Sequence, residues 1–178
     1  MLFRSILVRS SWNTTIGEDS PEDVLSALSP ARREIYEQHQ QYLAKQKDQT
    51  PFLRSLMALE YAFWRAGGTL VVGSDAMITN GTLPGYSNLK SIEWLVEAGI
   101  PPLAVIKIAT LNGANAMDIA NDRGSLEVGK RADMIVIDGD PSVDISAIHQ
   151  IEQVFKKGIA YDPQALKASV KGKIGGPY

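Results

Sequence analysis

Asp75 is the side chain in this sequence best placed to do chemistry. It follows Thr69-Leu70-Val71-Val72-Gly73-Ser74, a stretch whose apolar core shows no polar alternation and so suits a strand buried on both faces of a parallel sheet. Parallel α/β folds gather their reacting groups just beyond the C-terminal ends of such strands. A carboxylate there is a hard ligand for a cation and, near positive charge, a modest base. On Gly-Ser-Asp alone the commoner role is structural, ending a strand or capping the next turn, so the motifs downstream have to decide between the two.

The other candidates are weaker. With no cysteine, there is no thiolate site and no disulfide framework. The histidines are His39 and His149, and no His-x-His pair exists. His39 lies in a polar helix among glutamines and reads as a surface residue. Glu60 and Glu93 read as surface or supporting carboxylates. Residues 77–86 follow Asp75 directly, are rich in glycine and proline, and form the candidate substrate-facing loop, with Asn80 and Tyr86 as its candidate substrate contacts. Gly129-Lys130 lacks the remaining glycines and the following Ser or Thr of a phosphate-binding loop. Trp64 and Trp94 read as packing residues; Trp12 is the tryptophan that could instead face a site.

Bulk properties exclude several classes. The chain has 178 residues, 44% hydrophobic and 21% charged, with a formal net charge of −2, which is ordinary globular usage. That charge offers no electrostatic basis for binding nucleic acid or an anionic membrane. No apolar run approaches the ~20 residues of a spanning helix. The start, Met1-Leu2-Phe3-Arg4-Ser5, makes no convincing export signal and does not read as a native beginning. The sequence is expected to start inside a longer protein, compatible with either a cytoplasmic or an exported parent.

Elements to position Asp75 can be read on both sides of it. Residues 6–8 suit a short strand. Ser20-Pro21 and Ser29-Pro30 open helices, the second running polar from 31 to about 48. Thr50-Pro51 opens a third helix, dense in Leu, Met, Phe and Trp, which Gly67-Gly68 ends. Ser87 caps a helix closing at Gly99, and Pro101-Pro102 opens one rich in small residues. Helix, buried strand, loop and helix make the alternation of a parallel-sheet or barrel domain. Beyond Asp122 short strands are expected at 124–129 and 134–137, then a hairpin of 151–155 and 159–161 about Lys157-Gly158. A helix at 163–170 and a solvated Gly/Lys tail finish the chain.

Val72-Gly73-Ser74-Asp75-Ala76, Leu95-Val96-Glu97-Ala98-Gly99, Ala109-Thr110-Leu111-Asn112-Gly113-Ala114 and Gly129-Lys130-Arg131-Ala132-Asp133 through Gly139-Asp140-Pro141 stand in this order. Together they resemble the C-terminal region of the metal-dependent amidohydrolase superfamily. Val154-Phe155-Lys156-Lys157-Gly158 and Tyr161-Asp162-Pro163 are similar to the tail of its imidazolonepropionase-like branch. The resemblance implies an α/β fold: the C-terminal part of a (β/α)8 TIM barrel, about its last two βα units, over 1–122. It further implies part of a small β-sandwich domain over 123–162, with a terminal helix and tail over 163–178.

The implied activity is hydrolysis of C–N bonds in small-molecule or peptide-like amides by metal-activated water. Asp75 is then a metal ligand and general base, and the divalent cation is zinc, as one or two ions. His149 falls in the small β domain, away from the metal, and Asp133 satisfies backbone donors in a turn. The remaining ligands of the superfamily, a His-x-His, a Lys or Glu and two further histidines, have no match here, so this length alone is expected to be inactive. The alternative is a metal-free amidohydrolase-like scaffold without activity. The resemblance is compatible with a homo-oligomer.

Overall fold

The computed structural model describes residues 2–5, 21–46, 48, 50–76, 78 and 81–176. The expected strand at 6–8, the Ser20 cap, Trp12 and Asn80 lie outside the described residues.

Strand β1 (Leu2–Ser5) pairs in parallel with β2 (Thr69–Val72), placing Phe3 opposite Leu70. Between them in sequence come α1 (Glu22–Leu25), α2 (Pro30–Leu43) and α3 (Thr50–Arg65). Prolines at the first turns of α2 and α3 explain their starts, since a missing N–H costs nothing there. At the end of α3, Gly67 takes a φ of +83°. A Cβ on Gly68 would lie 2.3 Å from the Phe63 ring, so the chain turns into β2 beneath that ring only as glycine.

Leu70 is fully buried and belongs to a core with Leu95, Ile100, Val105 and Ile108, covered by Tyr61, Phe63 and Trp64 of α3. The opposite wall comes from α4 (Tyr86–Glu97), with Trp94 and Leu95 inward, and from α5 (Pro102–Lys107). Trp94 also packs on Leu53 and Met57. Both Trp64 and Trp94 are therefore packing residues, as their helical spacing suggests.

From α5 the chain continues through a π-helical turn (Ile108–Asn112) into α6 (Gly113–Ala116). The widened turn carries Asn112, whose Nδ2 donates to the Leu70 carbonyl of β2 at 2.9 Å. Small residues follow because Gly124 crosses closely: a Cβ there would lie 2.5 Å from Ala114 Cβ. Asn112→Ala withdraws a donor from a buried strand carbonyl and is expected to cost about 1–3 kcal/mol, read as a lower urea midpoint at unchanged m.

The C-terminal sheet is antiparallel in the order β3 (Met134–Ile137), β4 (Ile151–Lys156), β5 (Ile159–Tyr161). Its hairpin turns through Lys157 and Gly158, both at positive φ, as two-residue turns matching strand twist require. Asp133 holds that turn: its carboxylate accepts from the Lys157 N–H at 2.8 Å and from Lys156 Nζ at 2.6 Å. The expected role of Asp133 as an acceptor for backbone donors is what its geometry provides. Helix α7 (Pro163–Val170) is capped by Asp162, whose carboxylate accepts from Gln164 N–H.

Several expectations need correction. Residues 124–129 form no strand: Gly124 and Gly129 sit at φ +97° and +93°, and Lys130 Nζ bonds back to Ser125 and Glu127, folding the segment on itself. Helix α2 stops at Leu43 rather than near 48. Helix α4 begins at Tyr86 behind Gly85, and the Ser87 hydroxyl accepts from Leu83 N–H instead of capping. The C-terminal tail is not free in solvent either. Lys167 pairs with Asp23 at 2.7 Å, and 172–174 bonds along 26–29, with Leu28 bridged to Ile174.

Candidate active site

Asp75 stands just past the C-terminal end of β2, where the parallel pairing with β1 ends. Its backbone is held from two directions. On one side Ser74, buried, donates its N–H to Asn88 Oδ1 of α4 at 3.1 Å. On the other, Thr82, fully buried, donates its hydroxyl to the Asp75 carbonyl at 3.4 Å. Asp75 itself adopts φ +47°, a left-handed conformation that aspartate tolerates better than most residues. The main chain is thus anchored while the side chain is exposed. Sequence reading missed Thr82, Asn88 and Asn112; what marks them is polar residues adjoining apolar elements, buried or reaching a buried backbone group.

As a donor, Asp75 fits the part of one ligand to a hard cation: an exposed carboxylate on an anchored turn at a strand end. Among the described residues, no group of three or more His, Asp or Glu side chains lies close enough to hold a metal ion, whereas a hydrolytic zinc takes about three protein ligands. This chain's described residues therefore supply at most part of such a set.

The other candidates scatter. Tyr86 is half-buried at the start of α4, its ring 6.0 Å from that of His149. Both line a cavity of about 810 Å³ bounded by 21–28, the start of α4, 149–154 and α7, and Asp75 is not part of its wall. Glu93 lines it too. Its carboxylate pairs with Lys90 one turn earlier and receives His149 Nε2 at 2.8 Å. Burial pushes the Glu93 carboxyl up, but the His149 and Lys90 contacts outweigh that and hold it below its ordinary value of 4.5. Glu93 is a supporting carboxylate, clasping α4 to the 3₁₀ turn (Ile145–His149) before β4. Glu60 is buried on α3 rather than at the surface. His39 is half-buried as well, since α2 turns it toward Gly81 in the loop after Asp75; the polar sequence around it concealed this.

Comparison with known proteins adds a family. A model of the amidohydrolase family matches residues 55–165. The 5'-deoxyadenosine deaminase of Methanosarcina acetivorans is 32% identical over 126 residues, covering 65% of this chain and 29% of that protein. The imidazolonepropionase of Alkaliphilus metalliredigens is 29% identical over 113 residues, covering 58% of this chain and 26% of that one. The chain thus spans less than a third of either relative. A solved bottromycin amidohydrolase superposes with a TM-score of 0.68 at 19% identity, over 96% of this chain and 40% of that one, a likeness of fold alone. Motifs in order, an aspartate at the end of a parallel strand and a family match over more than half the sequence converge: the chain belongs to the amidohydrolase family and has its α/β fold.

Proposed function

We propose that this chain is the C-terminal part of a metal-dependent hydrolase that cleaves C–N bonds in amides or cyclic amides, with Asp75 as metal ligand and general base. Residues 1–122 then close a (β/α)8 barrel with its last two βα units, 123–162 belong to a small β domain, and 163–178 form a terminal helix and tail. The observation that carries this reading is the anchored, exposed carboxylate of Asp75 at the C-terminal end of a parallel strand, in a chain of this family. Relatives named as a deaminase and an imidazolonepropionase support C–N hydrolysis of small molecules as the reaction class.

Asp75 takes a proton from the attacking water and delivers it to the departing nitrogen, a transfer worth roughly 10²–10⁴-fold in rate. A divalent cation, zinc by preference, supplies Lewis-acid activation of that water when bound. Ser74 and Thr82 keep the Asp75 main chain from swinging as the proton moves. Asn80 and Tyr86 are the proposed substrate contacts, with Tyr86 lining the cavity beside His149.

The test is metal retention. The longer polypeptide encoded through this sequence is expected to keep about one or two equivalents of divalent metal through dialysis. It should release ammonia or amine from amide substrates, lose that activity to a chelator and regain it with zinc. The 178 residues alone are expected to keep none. Tight zinc binding by this length would show that the ligands are misassigned; a longer polypeptide without metal or hydrolysis would point to the scaffold alternative.

A further inference from the structure

The face of α2 that carries His39 and Gln40 lies against the turn that follows Asp75. Gly81 is the point of contact. It is buried, at φ +81°, and a Cβ there would meet Gln40 Nε2 at 3.2 Å and His39 Cδ2 at 3.3 Å. Its N–H closes the turn onto the Ile78 carbonyl at 3.1 Å. The next residue is Thr82, whose hydroxyl reaches the Asp75 carbonyl. A continuous physical path therefore runs from α2 through Gly81 and Thr82 to the Asp75 backbone. Helix α2 is otherwise polar and fixed mainly by Tyr36 and Leu43. On the same helix the His39 ring also lies 6.3 Å from that of Tyr42, so the imidazole bridges α2 and the turn.

From this geometry we infer that His39 and Gly81 are positioning residues for Asp75: α2 backs the turn and sets where the carboxylate stands. The inference rests on Asp75 being the reacting carboxylate. Misplacing a reacting group by about 1 Å costs up to ~10²-fold in rate, so a slack turn is expected to show in kcat before it shows in stability.

The test uses the longer polypeptide and its hydrolysis of an amide substrate. His39→Ala is expected to lower kcat about tenfold with KM changed less than about threefold, and His39→Gln, which keeps a polar side chain against Gly81, to restore most of it. Gly81→Ala strains the turn and crowds α2 together, and is expected to lower kcat at least as far. Melting temperature and the folded fraction accompany each rate. If kcat stays within about twofold of wild type in His39→Ala and Gly81→Ala while Asp75→Asn collapses, α2 does not position Asp75 and the inference falls alone. A loss of rate that only tracks loss of folded protein overturns it equally, as does a loss that His39→Gln fails to restore. If Asp75→Asn itself turns over normally, the assignment of Asp75 goes and takes this inference with it.

Discussion

Asp75→Asn in the longer polypeptide proposed above is expected to lower kcat by roughly 10²–10⁴-fold, the range of a lost general base, and to leave the fold in place. Asparagine keeps the shape and loses the charge, so on the proposed mechanism it removes both the anionic ligand and the proton acceptor. It also tolerates the left-handed conformation that Asp75 adopts at φ +47°, where most L-residues pay a penalty of about 1–2 kcal/mol. Alanine would mix that strain with the lost chemistry; asparagine does not. Among the described residues no side chain is bonded to the Asp75 carboxylate, which is exposed. Stability is accordingly expected to move by no more than about 0.5 kcal/mol. Steady-state kinetics with a thermal melt on the same preparation check both halves. Turnover within about threefold of wild type removes Asp75 from the mechanism.

Glu93→Gln produces the larger effect on stability. The Glu93 and Lys90 side chains are only 17% and 10% exposed, and the same carboxylate receives His149. Removing one charge of a nearly buried pair costs about 3–5 kcal/mol, because the other is left desolvated. The clasp between α4 and the turn before β4 loosens at the same step. The pH dependence has a definite sign. A carboxyl held below its ordinary value of 4.5 binds fewer protons folded than unfolded. Its stabilisation is present above pH 4.5 and is lost as pH falls through the depressed folded value. Urea unfolding at neutral pH should therefore separate wild type from Glu93→Gln widely, and the gap should narrow as pH falls below about 4.5. A gap that stays constant on acidification would mean that Glu93 contributes packing rather than charge.

Much of the local structure was legible in residue order. Proline at first turns marked where α2, α3 and α5 begin, Gly67-Gly68 marked where α3 ends, and Lys157-Gly158 marked the hairpin. In each case the cause is confined to a few neighbouring φ angles or a missing N–H. The apolar run before Asp75 signalled a parallel strand, and β2 does pair in parallel, but of its four residues only Leu70 is fully buried, so burial on both faces did not follow from the sequence. Residues 124–129 misled because glycines bracketing apolar residues suit a strand or a folded-back loop alike. Positive φ at both ends and the reach of Lys130 to Ser125 and Glu127 chose the loop.

What residue order alone established was the position of Asp75 beyond an apolar parallel strand and the family likeness of its flanking motifs. Only the folded chain decided which distant groups steady that position: Thr82 on its carbonyl, Asn88 beside it, Asn112 on the strand below and α2 behind the turn. It likewise set Tyr86 beside His149, buried Glu60 and half-buried Glu93. The division follows from range. Backbone preference and hydrophobic periodicity act over a turn or two of chain, whereas a hydrogen bond between residues 70 and 112 exists only after packing has brought them together.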